Sequence, residues 1–350
     1  MSARTTLARQ LWFVGPRRVE IRQVVLPAPG PGDVLVAVER SALSAGTELL
    51  VYRGELPDQL SLDASLTALQ QHTAYPLRYG YSSVGRVTAL GPGVDADWLG
   101  RRVFAFQPHA SHFLCSANEL VAVPEDITGD QALLLPNMET AINLVHDGNP
   151  RLGERVVVLG QGIVGLLLTA LLARHPLREL VVVDAQPARR QQALRLGASQ
   201  ALDPADVAAM QGLRARLQTT EPAGADLLFE VSGSPAVLND AVDLSGYTSR
   251  LVIGSWYGSK SAPLQLGGAA HRNRLRILTS QVSSIDPLLL GRWNKARRFT
   301  EAWAQLRTLE TAPLITHRVA LQAAPALYQQ LDVGAADLVQ AVFDAALTPS

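Results

Sequence analysis

Thr47 and Glu48 stand side by side in LSAGTELLVYRG, residues 43–54, which reads as a loop after the strand-like run DVLVAVERSA. A hydroxyl beside a carboxylate can hold or pass a proton. Nothing in that stretch offers a thiolate or an imidazole to a metal. Farther along, His109 and His112 lie three apart in PHASHF, a spacing that suits two substrate contacts, two surface residues or two metal ligands. As ligands they would need Glu48 or Glu139 nearby, and a metal-free enzyme is the preferred reading.

A second group of residues points to a dinucleotide. VVVLGQGIVGLLL places Gly160, Gly162 and Gly165 in a G-x-G-x-x-G between an apolar strand and a helix that opens at Ile163 and Val164. The first glycine permits a tight turn and the second lets the backbone approach a pyrophosphate. The third lets helix pack on strand, and the helix N-terminus favours the anion. Asp184 closes the next strand, 19 residues beyond Gly165, where a carboxylate would bind the adenosine ribose hydroxyls. A carboxylate there repels a 2′-phosphate, so NAD is expected over NADP. Arg189, followed by Arg190, either bonds the ribose or faces solvent. The alternative is an ordinary strand-turn-helix with a capping Asp.

The elements that must position these groups change texture near residue 137. Before it, RRVEIRQVVLP, GDVLVAVER, SVGRVTALG, RRVFAFQ and FLCSANELVAVP read as short strands between turns. Between them, DQLSLDASLTALQQHTAYP reads as helix or loop. After it, GERVVVLG, ELVVVDA, ADLLFEVSG and SRLVIGSW alternate with helical stretches, the mark of a doubly wound parallel sheet. Past LRILTSQVSS the pattern reverts to helix, strand, helix and strand.

The bulk numbers exclude several classes. With 31 basic and 31 acidic residues in 350, no basic excess exists to neutralise phosphates, so nucleic acid is not an expected partner. Lys260 and Lys295 are the only lysines, which leaves little scope for Schiff-base chemistry. The single Cys115 excludes an internal disulfide and Cys-rich zinc sites. The longest apolar run, IVGLLLTALLA, is too short to span a bilayer, and the N-terminus lacks a signal-peptide pattern. A cytoplasmic enzyme without a membrane partner is expected.

The order of PGPGDVLV, AGTE, GYSSVGRVTALGPGV, GQGIVG, VVVDAQPARRQQALRLGA and LITHRVAL resembles the medium-chain dehydrogenase/reductase superfamily, the zinc alcohol dehydrogenase-like proteins. The resemblance spans nearly the whole chain. It implies an α/β protein: a GroES-like, mostly β catalytic domain from residues 1–137 and 284–350, with a Rossmann domain at 138–283. It also implies a homodimer or homotetramer. Cofactor contacts are then expected from Gly160, Gly162, Ile163, Val164, Gly165, Asp184 and Arg189. Thr140 beside the nicotinamide, Ser232 and Gly254 complete that set.

Where zinc-bearing members carry ligands, this chain has Ala45, then Tyr81 and Ser82, then Pro136. Ala and Pro side chains have no lone pair to give a metal. The resemblance puts Thr47 at the start of the family's proton relay and Glu48 at the acid after it. The relay histidine is replaced by Leu50. Tyr81, its phenol of ordinary pKa ~10, stands at the vacated ligand position. With His109 and Glu139 it completes the candidate catalytic set. The alternatives are that Glu48 braces its loop, Tyr81 is a core aromatic, His109 is a surface histidine and Glu139 answers a helix dipole. Trp256 and Tyr257 in VIGSWYG could wall the substrate. His271, Arg272 and Arg274 read as packing or inter-subunit residues.

S-x-x-S-x-G-T-E, G-Y-x-x-V-G, N-M-E-T-A and S-W-Y-G together resemble the branch containing bacteriochlorophyllide a dehydrogenase-type proteins. That resemblance implies NAD-dependent, zinc-independent interconversion of a secondary alcohol and a ketone on a small molecule of secondary metabolism. Reduction of an enone, quinone or imine with NAD(P)H is the second expectation. A cofactor-binding protein without catalysis is the third.

Overall fold

The structure, a computed structural model, describes residues 5–57, 67–69, 73–334 and 337–348. Most of DQLSLDASLTALQQHTAYP lies outside the described residues; within it Thr67–Leu69 form a 3-10 turn. The chain divides into two compact units, Met1–Pro136 with Trp303–Ser350, and Asn137–Ala302. Residues 284–302, grouped with the C-terminal return on sequence grounds, thus fall in the second unit.

The first unit opens with β1 (Thr6–Gly15) and β2 (Arg18–Leu26), an antiparallel hairpin. Next come β3 (Asp33–Ala42) and α1 (Ala45–Arg53). Then follow β4 (Ser83–Leu90), β5 (Arg102–Ala105), β6 (His112–Ser116), β7 (Val121–Ala122) and α2 (Gly129–Leu133). On β3, alternating Val34, Val36 and Val38 turn inward against Val87, Val103 and Phe113.

Residues 43–54, expected as a loop, are instead mostly the helix α1. Val51 and Tyr52 pack into a core with Leu11, Phe13 and Tyr328, and that burial outweighs weak local propensity. Gly54 ends the helix in a left-handed conformation, φ 73°, its N–H returning to the carbonyls of Leu50 and Val51.

The second unit contains α3 (Leu135–Gly148, entered from the first unit), β8 (Arg155–Leu159), α4 (Ile163–Leu172), β9 (Glu179–Val183) and α5 (Pro187–Arg195). It continues with β10 (Gln200–Leu202), α6 (Val207–Gln218), β11 (Ala225–Glu230) and α7 (Leu238–Leu244). It closes with β12 (Ser245–Ile253), β13 (Arg276–Thr279) and α8 (Lys295–Arg307), whose last turn belongs to the first unit. Its strands run parallel in the order β10-β9-β8-β11-β12-β13, the doubly wound order in which the chain reverses direction beside the first strand. Buried on both faces, β8 shows no polar alternation in VVVL.

The tail returns β14 (Ile315–Val319), α9 (Ala324–Asp332) and β15 (Gln340–Asp344) to the first unit. Its sheet is ordered β14-β15-β3-β4-β5-β7, with β6 pairing β3. The architecture is therefore α/β: a mostly β unit built from both ends of the chain, and a doubly wound parallel unit between them. Among the described residues no helix is long and apolar enough to cross a membrane.

Candidate active site

The candidate residues fall into two groups, one in each unit. In the second, Gly160 ends β8 with φ 101°, and a Cβ there would stand 2.5 Å from the Ser232 Cα. A Cβ on Gly165 would stand 2.1 Å from the Gly160 carbonyl oxygen. Both positions need glycine for conformation or close packing. Gly162 differs. Its backbone is extended, φ −64° and ψ −178°, and a Cβ would meet nothing within 4 Å. The protein itself has room for a side chain there, and that room is what a pyrophosphate would take. No side chain caps α4, so its first N–H groups face that space.

Asp184 is nearly buried. One carboxylate oxygen accepts the Gln161 N–H at 2.7 Å and the other the Gln186 N–H at 2.8 Å. Each oxygen keeps a further acceptor site, enough for a ribose diol. Arg189 lies 4.0 Å from this carboxylate, while Arg190 binds Asp203 at 3.0 Å and the Asp184 carbonyl at 2.7 Å. These residues fit a dinucleotide.

Ser232 is held through its N–H (2.8 Å) and hydroxyl (2.6 Å) by buried Glu230, whose other oxygen accepts the Tyr257 hydroxyl at 2.5 Å. Tyr257, expected in an aromatic wall, thus turns its phenol to Glu230. Burial first, then that carboxylate, hold its pKa far above the ordinary value. Trp256 remains 39% exposed. Gly254 is glycine for packing, since a Cβ would stand 2.7 Å from Leu144. Thr140 sits half-buried on α3.

Glu139, also on α3, is buried and accepts from the guanidinium of fully buried Arg298 at 2.7 and 3.0 Å. Burial raises its pKa, and Arg298 offsets part of that rise. Arg298 also donates to the Asn143 side chain at 2.6 Å and the Ser284 carbonyl at 3.2 Å. The carboxylate expected as an acid/base candidate is committed to tying residues 282–298 to α3.

In the first unit, Glu48 has no exposed surface and draws three elements together. It accepts the Ser44 N–H at 2.6 Å and the Tyr328 hydroxyl of α9, and it faces His109 Nε2 at 3.1 and 3.2 Å. His109 Nδ1 lies 2.8 Å from the Ser41 hydroxyl. His109 has no exposed surface either, so the surface-histidine alternative does not hold. Burial, then Glu48, raise the Tyr328 pKa well above the ordinary phenol value. Tyr81 is half-buried and shares a hydrogen bond with the Ser44 hydroxyl; Thr47 is half-buried on α1.

At the positions where the resemblance implies zinc ligands stand Ala45, Tyr81, Pro136 and Ser82, whose hydroxyl donates to the Leu133 carbonyl at 2.7 Å. Ala and Pro side chains have no lone pair to give a metal. His109 is engaged by Glu48, whereas His112 lies 3.1 Å from the Ser111 hydroxyl. Among the described residues, no group of three or more His, Cys, Asp and Glu could hold a metal ion.

Sequence reasoning passed over Ser44, Glu230, Arg298 and Tyr328. A signal existed for the last. Tyr328 lies in the apolar stripe Ala324, Leu327, Leu331 of α9, where a phenol needs a buried acceptor.

Residues 164–301 match the family described as Zinc-binding dehydrogenase. An L-threonine 3-dehydrogenase of Stenotrophomonas maltophilia is 26% identical over 263 residues, covering 67% of this chain and 72% of the relative. A short chain alcohol dehydrogenase from E. coli CFT073, solved with NADH, superposes with TM-score 0.76 at 18% identity, covering 97% of this chain and 99% of that one. A candidate zinc-binding dehydrogenase from Sinorhizobium meliloti 1021, bound to NADP, gives 0.75 at 19% identity, with coverage of 97% and 99%. The family match and the dehydrogenase relatives make this chain an oxidoreductase enzyme, similar over residues 164–301 to the zinc-binding dehydrogenases.

Proposed function

We propose that the protein is an NAD-dependent, zinc-independent dehydrogenase that interconverts a secondary alcohol and a ketone on a small metabolite, in the zinc-less branch of the superfamily. The observation that supports it most is Tyr81. Its phenol shares a hydrogen bond with the Ser44 hydroxyl, at the position the family resemblance assigns to a zinc ligand. The dinucleotide, when bound, accepts or supplies the hydride. Gly160, Gly162 and the N-terminus of α4 hold its pyrophosphate, and Asp184 its ribose. The protein handles the proton. As a ketone is reduced, Tyr81 gives its O–H proton to the carbonyl oxygen and is left as a phenolate that accepts a hydrogen bond from Ser44. In the reverse direction that phenolate takes the alcohol proton, and the net proton is exchanged with water. Glu48 and His109 are buried and mutually bonded, so neither touches substrate in this scheme.

Tyr81→Phe should lower kcat about 100-fold, the usual size of a lost general acid, with NAD affinity unchanged. The assay follows NADH formation from NAD and a panel of secondary alcohols that includes L-threonine. Unchanged rates on any oxidised substrate remove Tyr81 from the chemistry, and stoichiometric zinc in the purified protein removes the metal-free reading.

The ribose assignment has its own test. Asp184→Asn keeps an acceptor for the Gln161 N–H and drops the charge. The NAD-to-NADP affinity ratio should fall about tenfold by calorimetry, equivalent to roughly 1.4 kcal/mol. An unchanged ratio places the ribose elsewhere.

A further inference from the structure

Serine at a helix N-terminus ordinarily turns its hydroxyl onto the first exposed N–H groups. Ser44 stands in that place before α1 and makes no such bond. Its hydroxyl goes to Tyr81 instead. What holds it there is Glu48, one turn on, which engages Ser44 from two sides. The carboxylate accepts the Ser44 N–H at 2.6 Å, and the Glu48 N–H donates to the Ser44 carbonyl at 2.8 Å.

Glu48 is itself fixed by groups distant in sequence. His109 faces both of its oxygens and is oriented through Nδ1 by Ser41 on β3. The Tyr328 hydroxyl reaches it from α9, with the Tyr328 ring stacked on Tyr52 at 5.3 Å and edge-on to Phe13 at 5.3 Å. The whole cluster is buried, and among the described residues no Arg or Lys pairs with the carboxylate. A buried carboxylate without such a partner is costly to keep, and apolar residues of similar size would brace α1 against α9 as well.

We propose that Ser41, His109, Glu48 and Tyr328 form a positioning cluster that diverts Ser44 from capping α1 and aims it at the Tyr81 phenol. The inference gives a task to four buried polar groups that the proposed reaction does not use, and it rests on the reading of Tyr81 as the proton carrier only for its catalytic consequence. Tyr328 acts through Glu48, and Glu48 through Ser44.

The test reads the Tyr81 phenol directly. Protein labelled with [ζ-13C]tyrosine has seven tyrosines, and the Tyr81 signal is the one missing in Tyr81→Phe. Ser44→Ala should displace that signal. Tyr328→Phe, which keeps the ring in its stack and removes the hydroxyl, should displace it in the same direction and lower kcat about tenfold at unchanged KM for NAD. Glu48→Gln, which retains an oxygen for the Ser44 N–H, should displace it less than Ser44→Ala and serves where Tyr328→Phe fails to fold. A Tyr81 signal unmoved in Tyr328→Phe and Glu48→Gln, with only thermal stability lost, would overturn the inference. A displaced signal in a protein whose Tyr81→Phe variant stays fully active keeps the positioning and ends the proton-transfer reading.

Discussion

Arg298 and Glu139 are buried together, and at this scale the cost of losing one partner can be stated. Arg298→Met leaves the Glu139 carboxylate unpaired beneath residues 282–298, a loss of about 3–5 kcal/mol. Burial already raises the Glu139 pKa, and without Arg298 it rises further. A carboxyl raised in the folded state contributes its stability below its unfolded pKa and loses it as pH climbs through the folded value. Urea unfolding of Arg298→Met should therefore show a larger deficit at pH 8 than at pH 5, and Glu139→Gln added to it should remove most of that dependence. Equal deficits at the two pH values would show that Arg298 does not stabilise the ionised form of Glu139. Residue by residue, the sequence was legible where function sits in a local pattern: Gly160, Gly162, Gly165 and Asp184 lie within one strand-helix-strand unit. It was opaque where partners are distant, because Tyr328 reaches Glu48 across 280 positions and Arg298 reaches Glu139 across 159. No spacing rule encodes such contacts.

The turn from β8 into α4 separates two reasons for a glycine, and the two can be told apart by substitution. A methyl at Gly165 would strike the Gly160 carbonyl, so Gly165→Ala should cost about 3 kcal/mol of folding stability through overpacking. Gly162→Ala meets no protein atom and no forbidden backbone, so its melting should match that of the parent. Its NAD affinity should nevertheless drop at least about tenfold, roughly 1.4 kcal/mol, because the methyl fills space meant for the ligand. Full NAD binding by Gly162→Ala would move the pyrophosphate out of this turn. At the level of elements, β8, β9 and β11 were readable because strands buried on both faces are apolar without interruption. α1 was not. AGTELLVYR has a glycine near its start and β-branched residues along it, and its helix depends on packing against β1 and α9 that no local window contains.

Over the whole molecule, the texture marked only a change of pattern in the tail, and its return was implied by the family resemblance; its boundary was marked by neither. α8 looks the same on either side of Ala302, and a contact division inside a continuous helix leaves no mark in composition. The single cysteine, Cys115, lies on β6, facing the interior of the first unit. Burial above all, then Glu119 and Asp33, push the Cys115 thiol up to about 12. At neutral pH only about one molecule in 100,000 then carries the reactive thiolate. Maleimide should leave the native protein untouched and label one site per chain in denaturant, and rapid labelling of the native form would contradict that burial. Cys115 is thereby a built-in reporter: the rate at which it is alkylated at a given temperature counts how often the β-rich half of the chain comes apart.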